Sequence, residues 1–316
     1  MIIKDYEQGD EVAILKLFNQ AFQKDMSLDY WKWRFEHNPS GKHFIKLIWL
    51  DGLLIGHFAV SPVKMHIFGK TERAALAMTV MTHPDHSGKG VFNKIVLNML
   101  EDLENKRNFK VVWGFPNKNS HYRFIKNIGW ENVGVVHSLF LHINDIDPAE
   151  SPDIIAGKQF SEKHGNKLSG LSSDFDIFVL KDEKYLNWRY IMNPSQDYTV
   201  FDYDDGKQNG FIVTKIYPSN IKPGVYDLYI MELGLGKNQL ELLNVMIKHA
   251  ATYYKVKFDR VNIWLNLWDK RHLVLEKMGF ILGDRSTFLI TKNNTGHKNT
   301  LELKRWSYSF GDSDVY

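Results

Sequence analysis

The chain reads as a mixed α/β protein made of two similar halves. Three observations point there. Helix-period and strand-period segments alternate along it. A Pro-x-x-x-Gly-x-Gly turn joins an apolar strand to a long amphipathic helix. An eleven-residue motif recurs 155 residues further on.

Taken in order, Glu11 to Phe22 carries Val12, Leu15, Phe18 and Phe22 at helical spacing and predicts a first helix. Ser27 is placed to cap a second, running through Tyr30, Trp31, Trp33 and Arg34. That helix should stop near Asn38, because Pro39 pushes its predecessor out of the helical region. Strands follow: Phe44 to Leu50, a hairpin signal at Asp51-Gly52, then Leu53 to Val60. Phe68-Gly69-Lys70 marks another turn, and Arg73 to Thr82 a further strand. After the glycine turn, Val91, Ile95, Met99 and Leu103 recur every four residues, widened by Val96 and Leu100, as in a helix packed on a sheet. Phe109 to Phe115 reads as a buried strand, Ser120 to Ile128 as a short helix and Val133 to Ile143 as a strand.

The second half repeats part of the first. Tyr30 to Ser40 aligns with Tyr185 to Ser195 at six identical positions of eleven, and Lys126-Asn127-Ile128-Gly129-Trp130 aligns with Glu276-Lys277-Met278-Gly279-Phe280. Similar offsets at two separated places imply a duplicated domain. The expected division is a first domain over 1–145, a linker over 146–173 rich in polar residues, and a second domain over 174–316. The second copy has Ile230-Met231-Glu232-Leu233-Gly234-Leu235-Gly236-Lys237 in place of the Pro-x-x-x-Gly-x-Gly turn, and its helix over Gln239 to Tyr254 starts without it. It is therefore expected to be degenerate, a scaffold or a substrate wall.

Composition narrows the function classes. The net charge of +3, from 40 basic and 37 acidic residues, makes no case for nucleic acid or an anionic membrane as partner. The absence of cysteine excludes a thiol nucleophile, a disulfide framework and cysteine metal sites. The start, Met1 to Asp10, has no apolar signal core, and no apolar run is long enough for a membrane span, so a cytoplasmic protein is expected. Histidines 37, 43, 57, 66, 83 and 86 lack metal-ligand spacing, so no metal is expected.

The chemistry is expected at the turn. Ser87, Gly88, Lys89, Gly90, Val91 and Phe92 lie between a strand and a helix N-terminus. There unpaired N–H groups and the helix dipole favour a phosphate or pyrophosphate. The bland alternative is a plain left-handed turn.

At these residues the sequence resembles the GNAT superfamily of acyl-CoA-dependent N-acyltransferases, whose signature is Arg/Gln-x-x-Gly-x-Gly/Ala at the turn into the main helix. Gly88, Lys89 and Gly90 fit the common Arg-Gly-Lys-Gly form, whereas Ser87 stands where Arg or Gln is usual and Phe92 where a small residue is. The Lys126-x-x-Gly129-Trp130 element closes the resemblance. The likeness implies acetyl-CoA or another short acyl-CoA as cofactor, its pyrophosphate on 87–92 and its thioester and pantetheine arm along the splayed strand end at Val80, Met81 and Thr82, with a small-molecule amine as acceptor. It also implies an acid at the position of Ile125, where many members carry Tyr; Tyr122, one helical turn earlier, is the substitute candidate, or a packed aromatic. His121 is a candidate base or a surface residue. Asn117 and Asn119 are candidates for the pantetheine amides, or for capping the next helix. Asp312 and Asp314, after the aromatic run Trp306 to Phe310, are candidate bases if the tail docks, and solvated acids if it does not.

A closer resemblance is to tandem GNAT-like proteins of bacterial polysaccharide gene clusters. It rests on Trp31-Lys32-Trp33-Arg34 with Asn38-Pro39 downstream, Thr82-His83-Pro84, Gly114 to Ser120 and Gly311-Asp312-Ser313-Asp314. It implies acetyl transfer to an amino sugar. Two other readings stay open: a non-catalytic acyl-CoA-binding protein, and an aminoacyl transferase resembling the FemABX group.

Overall fold

The computed structural model describes the chain apart from residues 106, 144–147, 196, 220–221 and 316, and apart from the side chains of residues 119, 284 and 285. In order the elements are β1 (Ile2–Asp5), α1 (Glu11–Phe22), α2 (Leu28–Phe35), β2 (Phe44–Leu50), β3 (Leu53–Ile67), β4 (Lys70–Thr82), α3 (Val91–Asn105), β5 (Val111–Gly114), α4 (Lys118–Arg123) and β6 (Glu131–His142). There follow β7 (Ile154–Gly157), α5 (Glu162–Ser172), β8 (Ile177–Val179), α6 (Glu183–Leu186), β9 (Thr199–Asp204) and β10 (Asn209–Pro218). Then come β11 (Tyr226–Gly234), α7 (Glu241–Tyr254), β12 (Phe258–Trp264), α8 (His272–Lys277) and β13 (Ile281–Asn293). The chain divides into two units. Unit 1 is Met1–Gly134 with Met192–Ser195 and Phe288–Leu303; unit 2 is Val135–Ile191 with Gln196–Thr287 and Lys304–Tyr316.

In unit 1, β1 to β4 form an antiparallel meander, β5 runs parallel to β4, and the end of β13 pairs antiparallel with β5 from Ile290 opposite Gly114. Both faces of this sheet are covered. On one, Val91, Ile95, Val96, Met99, Leu100 and Leu103 of α3 pack on Ile55, Phe58, Ala75 and Val112. On the other, α1 and α2 bring Ile14, Leu17, Trp31 and Phe35 against Leu47, Leu54, Ala59 and Met78. The buried stripe of α1 is not the expected one. Ile14 and Leu17 face the sheet, while Val12 is 77% exposed. Either set satisfies the helical period, and Ile14, Leu17, Phe18 and Ala21 together make the broader apolar face.

β4 carries a bulge. Met78 pairs with Ala59 and Met81 with His57, so Thr79 and Val80 oppose the single residue Phe58. Thr79 adopts a left-handed φ of 50°. The extra residue puts Met78 and Met81 on the same face, although they are three apart in a strand whose side chains alternate. β4 and β5 stay paired from Ala74 and Val111 to Leu76 and Trp113, and among the described residues they do not pair beyond.

Unit 2 uses a similar order of elements. Its strands run β6-β12-β11-β10-β9-β7, with β11 and β12 parallel from Tyr226 and Phe258 to Ile230 and Ile263. α7 buries Leu242, Leu243, Met246, Ile247, Ala250 and Ala251 on this sheet. β11 has its own bulge: Val213 pairs with Glu232 and Thr214 with Ile230, leaving Met231 extra. Residues 146–173, expected as a linker, carry β7 and α5. α5 begins with a capping box of Ser161 and His164. The recurring motif also starts alike in both places: the side chain of Ser27 accepts from Tyr30 N–H, and that of Asp182 from Tyr185 N–H.

Candidate functional site

The glycine turn has the conformation its sequence demands. Gly88 and Gly90 have φ of 78° and 79°, where a side chain would be strained, and nothing lies within 4 Å of a Cβ built on either. The turn hangs from Pro84 to His86: His86 N–H donates to His83 O at 2.9 Å and Ser87 N–H to Pro84 O at 3.1 Å. The first bond into α3 is Lys94 N–H to Gly90 O, 3.1 Å, so the N–H groups of Val91, Phe92 and Asn93 stand ahead of the helical ladder. α3 is 15 residues long, and its N-terminus adds a partial positive charge. Lys89 and Lys94 are exposed on the turn and the first helical turn. This open, basic, N–H-rich surface fits a pyrophosphate.

Individual side chains differ in what they can do. Val91 is buried against β3, so its contribution is its N–H. The Phe92 ring meets Phe124 edge-on at 5.2 Å, and the Arg123 guanidinium lies 6.0 Å over it. The bulky residue thus packs toward α4 and brings a cation with it, which sequence reasoning missed. Met81 is buried with α1 and α2, and Val80 and Thr82 are half-buried at the end of β4 where it leaves β5. The α3 core has Val80 and Phe92 at its margin.

Asn117 is a helix cap: its Oδ1 accepts from Ser120 N–H at 3.0 Å and its carbonyl from His121 N–H at 2.9 Å. The side chain of Asn119 lies outside the described residues. His121 stacks on Phe288 at 3.8 Å and 18°, with Nε2 3.1 Å from Asn132 Oδ1. Tyr122 is 64% exposed, while Ile125 is half-buried against the α3 core. The two were expected on one face. The chain passes from α-helix to a π turn over Phe124–Ile128, and the wider turn rotates 125 away from 122.

Asp312 and Asp314 belong to unit 2. Asp312 is 4% exposed, 3.0 Å from Lys181 Nζ, and its Oδ2 accepts from Ser309 N–H at 2.8 Å. Lys181 also donates to both oxygens of Glu232, at 2.8 and 2.9 Å, and to Ser309 Oγ. Tyr190 OH donates to Glu232 at 2.6 Å, and Arg189 donates to the carbonyls of Gly311 and Ser313. Phe310 stacks on Trp264 at 4.7 Å. The tail is docked, but Asp312 anchors it through Lys181 and does not stand open as a base. Asp314 is half-buried beside it.

This anchoring fills unit 2 where β11 and β12 part. A cavity of about 40 Å³ is left there, lined by Lys181, Met231, Glu232, Trp264, Ser309 and Asp312. It has room for water and far too little for a nucleotide cofactor. Unit 2 thus has a bulge and parting strands as unit 1 does, and closes them with its own C-terminal segment.

Residues 3–133 match the family described as acetyltransferase (GNAT) domain. The match covers less than half of the 316-residue chain. Among solved structures the chain is similar to a GCN5-related N-acetyltransferase from Anabaena variabilis ATCC 29413, with TM-score 0.67 and 13% identity over 93% of this chain and 73% of that one. A probable N-acyltransferase from Enterococcus faecalis V583 gives TM-score 0.67 and 16% identity over 93% and 72%. Saccharomyces cerevisiae N-myristoyltransferase with bound myristoyl-CoA gives 0.62 and 10% over 92% and 79%. At such identities the likeness establishes the fold. No curated protein matches the sequence. Among the described residues no helix is long and apolar enough to cross a membrane.

Proposed function

We propose that the chain is a tandem-domain N-acetyltransferase. It moves an acetyl group from acetyl-CoA to a primary amine of a small molecule, of the amino-sugar or sugar-nucleotide kind, by direct transfer in a ternary complex. The reading places the work in the cytoplasm and in polysaccharide biosynthesis. The observation that carries it is the pairing, within residues 3–133, of a bulged strand end leaving its parallel neighbour with a glycine turn into a 15-residue helix.

In this reading the N–H groups of Val91, Phe92 and Asn93, with Lys89, Lys94 and Arg123, hold the pyrophosphate. The end of β4, Val80 to Thr82, lies along the pantetheine arm and offers backbone N–H to the acyl carbonyl. The acceptor nitrogen gives its proton to a base and bonds to the acyl carbon, the carbon–sulfur bond breaks, and the thiolate takes a proton. A chain without cysteine has no thiol to carry the acyl group, which suits direct transfer. Tyr122, exposed on α4, and His121, stacked and hydrogen-bonded beside it, are the groups within unit 1 proposed for the proton transfers. Asp312 is proposed instead as the anchor of the tail.

Free-thiol release with acetyl-CoA across a panel of amino sugars and simple amines tests this, and the cysteine-free protein adds no background. Turnover with an amino sugar is expected. Saturable acetyl-CoA binding without turnover on any amine would favour a non-catalytic acyl-CoA-binding protein, a reading that Ile125 at the usual place of the acid supports.

A further inference from the structure

His57 stands on β3 beside the bulge and is fully buried. Its Nδ1 lies 2.7 Å from the carbonyl oxygen of Thr79. A carbonyl oxygen only accepts, so Nδ1 carries the hydrogen and Nε2 is left as an acceptor. Nε2 is buried and has no hydrogen-bond partner among the described residues. An apolar side chain would avoid that unsatisfied nitrogen, so the histidine is explained by what Nδ1 holds.

What it holds is strained. Thr79 is β-branched and sits at φ 50° within a strand; among the described residues the other non-glycine residues of positive φ, Gln23, Asp51, Phe68, Asn108 and Lys255, lie at helix ends or outside strands. The Thr79–Val80 peptide is trans, so Thr79 C=O and Val80 N–H point in opposite directions. Gripping the carbonyl from the β3 side turns the Val80 N–H away from His57. β5 is the other neighbour of β4, and its last pair with β4, Trp113 with Leu76, lies four residues before Val80.

We infer that His57 is a positioning residue for acyl transfer: by holding the Thr79 carbonyl it fixes the Val80 N–H as the donor that polarises the acyl carbonyl. The inference rests on the acyl-transfer reading above and names the device that orients the donor. His57 does not touch the acyl group. Its ring is committed to the bulge, and beyond it to an edge contact with Phe35 of α2 at 6.1 Å.

The test is infrared difference spectroscopy of acetyl-CoA labelled with ¹³C at the acetyl carbonyl, bound to the full chain. In the unsubstituted protein the carbonyl stretch should move to lower frequency than in free acetyl-CoA. His57→Leu should bind acetyl-CoA within a few-fold of the same affinity and lose most of that shift. His57→Asn, whose amide nitrogen takes the place of Nδ1, should keep it. A full shift in His57→Leu overturns the inference. Should His57→Leu fail to fold, the unsubstituted protein decides: the Val80 amide resonance must move downfield on saturation with acetyl-CoA, and an unmoved amide overturns the inference. No acetyl-CoA binding at all would instead remove the acyl-transfer reading beneath it.

Discussion

Gly56 of β3 lies directly beneath Val91, the first residue of α3: a Cβ on Gly56 would come 2.8 Å from Val91 Cγ1 and 3.4 Å from Ile48 Cβ. The missing side chain sets how closely the start of α3, with its open N–H groups, sits against the sheet. Gly56→Ala should overpack this contact, lowering stability by about 1–3 kcal/mol. Acyl-CoA affinity should fall about tenfold as the helix start is displaced, a loss of roughly 1.4 kcal/mol. Calorimetric titration reads both the affinity and, with a thermal melt, the stability; an unchanged Kd would separate the helix start from the binding site.

Acid should unfold unit 1 through two histidines. Burial pushes the pKa of His57 down to about 4, and burial with the nearby Arg34 charge pushes that of His43 down to about 3; both ring nitrogens of His43 are buried without hydrogen-bond partners among the described residues. Each pKa is lower in the folded than in the unfolded chain. The stability is therefore fully present above pH ~6.5 and is lost as pH falls from there toward 4, where the unfolded chain takes up protons that the folded one excludes. For His57 the loss amounts to about 3 kcal/mol. The melting temperature should drop steeply across that window and less so in His43→Phe. A flat profile between pH 6.5 and 4 would contradict the buried neutral rings.

Lys181 holds two buried carboxylates in unit 2. Burial raises the pKa of Glu232, and Lys181 opposes that rise. Lys181→Met would leave Glu232 and Asp312 without their cation, a loss of about 3–5 kcal/mol for breaking a buried pair from one side. The tail should then detach, and limited proteolysis should cut within Lys304–Tyr316. A variant as stable and as resistant as the parent would show that the tail is held by the Phe310–Trp264 stack and the Arg189 hydrogen bonds without Lys181.

Much of this was legible in the sequence. The glycine turn, the apolar stripe of α3 and the recurring Tyr-x-x-Trp-Arg motif each rest on local rules, and the structure forms them where those rules put them. What was hidden depends on partners distant in sequence. The face of α1 is chosen by the sheet it meets, so Ile14 and Leu17 are buried and Val12 is not. The bulge at Thr79 needs β3 as its reference, and a lone histidine 22 residues earlier gives no sign that it grips the bulge. The π turn after Arg123 cannot be read from a 3.6-residue period, and it separates Tyr122 from Ile125. For Asp312 the sequence offered a base on a docked tail or a solvated acid, and not an ion pair, because its partner Lys181 lies far back in the chain.

The central claim is that the glycine turn of unit 1 is where the acyl-CoA binds. Calorimetric titration of acetyl-CoA into the full chain and into Gly90→Asp tests it most directly, since that substitution sets a carboxylate at φ 79° against the pyrophosphate. One site per chain with micromolar affinity is expected for the unsubstituted protein, with binding weakened at least tenfold in Gly90→Asp while the fold persists. Equal affinity in the two proteins would place the cofactor elsewhere and contradict the account.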